Sequence, residues 1–107
     1  MSRLYVLIFE DKPDLLSLRE RTLNAHLRYL VEQTRVEVLH GGATLDYEAG
    51  NVNGAVMIIS SDDLKDVGDF VAHDPFTLAG LFKEVKIKRW DYSMSALTVR
   101  QTGAATR

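Results

Sequence analysis

The chain has 107 residues and a mass of 12.0 kDa, which corresponds to one domain. Its 13 Lys and Arg residues against 15 Asp and Glu residues give a net charge of −2, which argues against nucleic-acid binding, since that affinity needs clustered positive charge. The absence of cysteine excludes disulfides and thiolate sites, and the lack of a signal peptide or a long apolar run predicts a cytoplasmic protein away from membranes.

The first part of the chain predicts a strand, a long helix and a second strand. Residues Leu4–Phe9 are apolar on both faces, which indicates a strand that is covered on both sides. From Pro13 to about Gln33 the apolar residues follow a helical period, with proline and acidic residues at the start. Val36–His40 predicts a second strand that ends at Gly41-Gly42.

The middle of the chain predicts a hairpin, a third strand and a second helix. Residues 46–53 are rich in turn formers and connect the second strand to the third, Gly54–Ile59. Ser60–Asp63 has the residue types that begin helices. We expect this helix to end at Pro75, because the residue before a proline avoids the helical conformation.

The last part predicts a short turn, a fourth strand and a tail. Residues 76–81 form one further turn that stops at Gly80, and residues 85–90 alternate as a strand. Residues 93–107 are small and weakly periodic, which predicts an arm or a disordered tail after a domain of residues 1–92.

The order β-α-β-β-α-β predicts an α+β, ferredoxin-like fold, in which two helices cover one face of a four-stranded antiparallel sheet. Strands one and three are also apolar on their other face. We therefore expect a homodimer that joins two sheets face to face, a dimeric α/β barrel. The alternative is that some of these residues are simply exposed.

His26 is the first candidate for chemistry. It shares one stripe of the long helix with Arg19, Leu23 and Leu30, so we expect it to point inward. A histidine in this position can be a general acid or base, or a satisfied core residue, and the pattern leaves both interpretations open.

Asp74 is the second candidate, because an extended residue before Pro75 can direct its carboxylate away from the helix axis. A carboxylate bonded to one imidazole nitrogen fixes the tautomer and leaves the other nitrogen as the base. A helix-ending turn is the simpler alternative. The aromatic residues Phe76, Phe82 and Trp90 are either core or the lining of a small apolar pocket.

Other types of site find little support. His26, His40 and His73 lack the spacing of metal ligands, so we expect neither a metal nor another cofactor. Gly41-Gly42 lacks the spacing of a phosphate loop. The lysines of the fourth strand alternate with apolar residues, which favours a solvated strand face over a nucleic-acid patch.

Several short segments together carry a family resemblance. In chain order they are Leu4–Phe9 with Glu10-Asp11-Lys12, Ala25-His26-Leu27 with Tyr29-Leu30, Gly42-Ala43, Gly54, Asp74-Pro75-Phe76 with Ala79–Phe82, Val85 and Arg89-Trp90. This pattern over residues 3–91 resembles the YCII-related family of small dimeric α/β-barrel proteins. The His-Leu pair and the D-P-[FY]-x-x-A-G block, in this order, are its most specific features.

The resemblance implies a dimer joined through sheet faces and an active site with His26 and Asp74 as catalytic residues. It also implies that Arg19 lies at the site, and we expect Gly42 and the aromatic group named above to contact substrate. Some relatives carry a second arginine where this chain has Leu23, and others have Gly-Pro where it has Gly42-Ala43. The leucine at position 23 makes a doubly basic anion site doubtful.

The leading hypothesis is a cofactor-free lyase or isomerase of small cyclic or aromatic catabolic intermediates. Family relatives include a dehydrochlorinase of chlorinated hydroxyquinols, and the fold is shared with muconolactone-isomerase-like proteins. The alternative is a non-catalytic dimeric module that binds a small ligand or a partner, in which His26 and Asp74 only connect two helices. A haem- or metal-dependent oxygenase on the same barrel is a third option with little sequence support.

Overall fold

A four-stranded antiparallel sheet organises the chain in a computed structural model, which describes residues 2–94. The strands are β1 (Arg3–Asp11), β2 (Glu37–Leu45), β3 (Val52–Ser61) and β4 (Phe82–Trp90). The helices are α1 (Leu16–Glu32), α2 (Leu64–His73) and α3 (Pro75–Leu78). The sheet order β2-β3-β1-β4 puts the first and third strands in the centre, which confirms the predicted ferredoxin-like α+β fold. Most of the predicted tail, residues 95–107, lies outside the described residues.

Alternation along the central strands separates the core from the other sheet face. Tyr5, Leu7 and Phe9 of β1 are buried, and they share a core cluster with Ile59 of β3 and Phe70 of α2. A strand with this period presents one row of side chains to each face of the sheet. The core therefore lies between the sheet and the helices.

The opposite face, which we call the outer face, is apolar in its centre. The strand register pairs Val6 with Ile58 and Ile8 with Val56 across β1 and β3. Ile8 remains 37% exposed, and the other three residues are only partly buried. This is the second apolar face that the sequence predicts.

The first helix begins later than its sequence period suggests. We expected it to begin at Pro13, but α1 begins at Leu16. Asp14 has a φ of 62°, a left-handed conformation that no right-handed helix can contain. The chain therefore turns at Pro13 and Asp14 before the helix starts.

Strand β2 continues through the glycines that were expected to end it. Gly41 pairs with Met57 and Gly42 with Val56, and the strand ends at Leu45. Sheet pairing uses backbone groups, so a glycine on an edge strand can extend the ladder. A register shift after Val38 marks a bulge in the same strand.

The segment around Pro75 follows the prediction closely, and the next strand starts early. Helix α2 ends at His73, and Asp74 has extended backbone angles of −62° and 131°. The further turn is the short helix α3, and Gly80 with a φ of 79° reverses the chain. Because this reversal is tight, β4 begins at Phe82 instead of residue 85.

Gly54 is a position where the sheet has no room for a side chain. A Cβ atom there would overlap the carbonyl oxygen of Phe9 and come close to Oγ1 of Thr44. We expect Gly54→Ala to lower the free energy of unfolding by about 2 kcal/mol, because neighbouring backbone must move. Urea denaturation followed by circular dichroism measures this change.

Gly68 provides the matched control for that substitution. Its Cβ position on α2 meets no atom within 4 Å, so Gly68→Ala is expected to raise stability by up to about 1 kcal/mol through helix propensity. If Gly54→Ala were as stable as the unaltered protein, the close approach at Gly54 would not constrain the sheet.

Candidate active site

Helix α1 buries two polar residues and leaves leucines exposed. Its buried residues are Arg19 and His26, which are 8% and 7% exposed, whereas Leu23 is 39% exposed. The two lie on one side of the helix, since seven residues make about two turns. Burying such groups is costly unless each one is paired, so their partners define the site.

His26 is held by Asp74, as the sequence predicts. Its Nδ1 lies 2.9 Å from Oδ1 and 3.0 Å from Oδ2 of Asp74, which is 1% exposed. The backbone N–H of Phe76 donates to the same Oδ1 at 2.9 Å, so the carboxylate also caps α3. In a neutral imidazole, this contact places the hydrogen on Nδ1 and leaves the lone pair on Nε2.

The other imidazole nitrogen is open. Nε2 of His26 has no hydrogen-bond partner among residues 2–94. Among these residues, Thr77 Oγ1 is the one side-chain polar atom that is both fully buried and without a partner. Because Nε2 of His26 also lacks a partner, it cannot be fully buried and must face a cavity or solvent. The imidazole is therefore fixed at one nitrogen and accessible at the other.

Arg19 is fixed in a comparable way by a residue that sequence analysis missed. Its Nε donates to Oδ2 of Asp11 at 2.8 Å, and its Nη2 donates to Oδ1 of Asp11 at 3.3 Å and to the Gly54 carbonyl at 3.1 Å. Nη1 has no partner among the described residues and is not a fully buried atom, so its donors remain available. Asp11 belongs to one of the segments that carry the family resemblance. Its contact with Arg19 could not be predicted, because the sequence period places the start of α1 at Pro13 and the helix begins at Leu16.

The ring of Phe76 packs against both His26 and Arg19. The Phe76 ring stacks on the His26 ring at 4.0 Å and 17°, and Cζ of Arg19 lies 4.8 Å from its centre. Phe82 packs edge-on against Phe76 at 6.0 Å, and its ring is tilted by 38° against that of Phe9 at 4.8 Å. Stacking of this kind restricts the ring and the guanidinium to one orientation.

A cavity of about 340 Å³ lies beside these two polar residues, between α1 and the β2–β3 side of the sheet. Its polar side chains are Arg19 and His26, and its remaining lining is aliphatic or small: Leu23, Leu27, Leu30, Val38, Met57, Gly41, Gly42, Ala43 and Ala55. The expected Gly42 is thus a lining residue, while Phe76 and Phe82 support the site from outside the lining. The volume fits a small ring compound.

Trp90 does not lie where we expected it. It pairs with Leu4 of β1, and its side chain therefore belongs to the outer face, away from His26. Its ring packs edge-on against Tyr92 at 5.7 Å. Within one subunit, Trp90 therefore lies outside the lining of this cavity, and its contact with substrate stays a prediction.

Tyr29 connects α1 to α2 near the site. Its hydroxyl donates to the Phe70 carbonyl at 2.7 Å, and the two rings stack at 5.6 Å. Burial raises the pKa of the Tyr29 hydroxyl above its ordinary value, and the Asp74 carboxylate adds to the rise while Arg35 opposes it. The hydroxyl therefore stays protonated and keeps its donor role.

The remaining histidines lie elsewhere. His40 pairs with Ile58 on the outer face, and Nδ1 of His73 donates to the Asp69 carbonyl at 2.8 Å. No three potential metal ligands come together within residues 2–94. In the same part of the chain, every helix lacks the length or the apolarity that crossing a bilayer requires.

Comparisons with known proteins place the chain in a family. The chain is 33% identical to TftG, the 5-chloro-2-hydroxyhydroquinone dehydrochlorinase of Burkholderia phenoliruptrix AC1100, whose structure was solved with 2,5-dihydroxybenzoquinone. That match covers 82% of this chain and 93% of TftG at a TM-score of 0.75. Fusaric acid biosynthesis protein 2 of Gibberella fujikuroi is 29% identical over 82% of this chain and 90% of that protein.

Aspartate kinase FUB3 of Fusarium oxysporum f. sp. lycopersici is 28% identical over 91% of this chain, which spans only 19% of the kinase. The model of the YCII-related domain matches residues 3–91, nearly all of the residues that the structure describes. The chain therefore belongs to the YCII-related family.

Proposed function

We propose that the protein is an enzyme that uses His26 and Asp74 for general acid–base catalysis on a small hydroxylated ring compound. The observation that carries this proposal is an imidazole with Nδ1 held by a buried carboxylate and Nε2 open beside a cavity. The proposed reaction is an isomerisation or the elimination of a small anion, and its steps require no cofactor.

In the first step, Nε2 of His26 takes the proton of a substrate hydroxyl. The imidazolium that results keeps its hydrogen bond to Asp74, which balances the new charge. A base positioned in this way accelerates proton transfer by roughly 10²–10⁴-fold.

Arg19 then stabilises the oxygen that loses its proton. Nη1 supplies the donors, while Asp11 and the Gly54 carbonyl hold the guanidinium in place. Because these contacts exist before substrate binds, little reorganisation is needed when negative charge develops.

The proton on His26 next returns to a ring carbon, which converts the enol to a ketone and completes an isomerisation. If that carbon carries chlorine, the neutral His26 takes the proton of a second hydroxyl. The oxygen then forms a carbonyl, the ring double bond shifts, and the electron pair of the carbon–chlorine bond leaves with chloride, after which His26 passes its proton to solvent. The net change is then the loss of HCl. The likeness to a dehydrochlorinase supports this elimination route for the present chain.

Substituting the base tests the proposal directly. We expect His26→Asn to lower chloride release from 5-chloro-2-hydroxyhydroquinone by about 100-fold or more, because Nε2 is removed. The matched control is His73→Asn, which removes a histidine of α2 away from the cavity. Turnover by His26→Asn at the rate of the unaltered protein would contradict the mechanism.

The Arg19 substitution tests the anion-stabilising group separately. Arg19→Lys keeps one positive charge but cannot bind Asp11 and Gly54 while also presenting free donors to substrate. We expect kcat to fall by about 100-fold, as when an oxyanion donor is lost, with a smaller change in KM. An unchanged kcat would exclude Arg19 from the reacting site.

A non-catalytic binding module is the second candidate, and one contact favours it. Asp74 begins α3 and contacts α1, so its pair with His26 also joins two helices. In that case His26→Asn would mainly cost stability, by about 1–3 kcal/mol for an unpaired buried group. Thermal melting of the variant beside its turnover separates the two functions.

We also propose that two copies associate through the outer face, because the apolar side chains at its centre are partly exposed in one subunit. Ile58→Asp places a charge in this centre and is expected to give monomers in analytical ultracentrifugation. Val31→Asp, on an 84% exposed position of α1, is expected to leave the dimer intact. A monomeric unaltered protein would refute the assembly.

A further inference from the structure

The ionisable groups around the cavity lie in two pairs. Arg19 contacts Asp11, His26 contacts Asp74, and no other ionisable side chain lines the cavity within residues 2–94. With a neutral imidazole, the site has two carboxylates and one cation. Protonation of His26 brings the sum only to zero.

An apolar side chain occupies the position where a second cation would reach the same cavity. Leu23 lies one helical turn from Arg19 and one turn from His26 on the lining face of α1. Leu27 and Met57 continue this apolar wall. A bound molecule therefore meets one edge with two polar groups and an apolar surface around the rest.

This arrangement disfavours an anion that arrives already charged. Such a ligand would lose its hydration and find no net positive charge in return. A neutral hydroxyl can instead donate to Nε2 of His26 while its oxygen accepts from Nη1 of Arg19. Proton transfer then creates the imidazolium and the oxyanion together, so the total charge of the site does not change.

Building on the proposed function, we infer that the site selects ring compounds that bind as uncharged phenols or enols with an apolar flank, and that Leu23 determines this selectivity. Preformed carboxylates of the same size are rejected. Leu23 lines the cavity and has no titratable group. It therefore affects which ligands bind and takes no part in proton transfer.

The experiment compares two probes that differ only in the acidic group. At pH 7, 4-chlorophenol is neutral, whereas 4-chlorobenzoate is an anion. Isothermal titration calorimetry or NMR gives the Kd of each. We expect the unaltered protein to bind the phenol at least about tenfold more tightly than the benzoate.

Leu23→Lys adds the missing cation at a position that is 39% exposed, so the fold can tolerate it. We expect this variant to bind 4-chlorobenzoate about tenfold more tightly and 4-chlorophenol within about threefold of the original Kd. Leu23→Met, which changes shape but not charge, is the matched control and is expected to keep the original order.

Three outcomes overturn the inference: tighter binding of the benzoate by the unaltered protein, no gain for the benzoate in Leu23→Lys, or no binding of either probe. The proposed function is judged separately by the turnover of His26→Asn. If His26→Asn loses turnover but the unaltered protein binds the benzoate more tightly than the phenol, the selectivity is refuted and the proposed function stands.

Discussion

The hydrogen bond between His26 and Asp74 is the constraint on which the site depends. It joins the middle of α1 to the junction of α2 and α3, and it is almost completely removed from water. A buried carboxylate without partners would be strongly unfavourable, and the imidazole and the Phe76 N–H both supply hydrogen bonds to it. The same contact decides which imidazole nitrogen is left to react.

Helix α1 departs from the usual distribution of apolar and polar residues. A surface helix normally buries its leucines and exposes its charges, whereas α1 buries Arg19 and His26 and leaves Leu23 partly open. The space left beside β2 and β3, where Gly41 and Ala43 carry little or no side chain, becomes the cavity. Violations of local rules are expected where a protein keeps a functional site.

Much of this arrangement could be predicted from the sequence. The element order, the two apolar faces of β1 and the extended conformation of Asp74 follow from periodicity and from Pro75, and all are present. The meeting of His26 with Asp74 follows from those elements together with the family resemblance.

The parts that could not be predicted depend on long-range register. The contact between Arg19 and Asp11 needs the left-handed turn at Asp14, which delays the helix and lets the end of β1 reach it. Trp90 was different, because a signal was present: Val85 and Ile87 alternate toward the core, which puts Trp90 on the other face. The alternation of β4 is thus a better guide to the position of Trp90 than its aromatic character.

The two duties of Asp74 make the site evolutionarily asymmetric. One carboxylate oxygen begins a helix and both oxygens accept from the imidazole, so a relative that lacks the proposed catalysis still needs an acceptor at this place. Descendants without activity are therefore expected to replace the histidine first and retain the aspartate. An aspartate retained in such a protein would be explained by its capping of α3 alone.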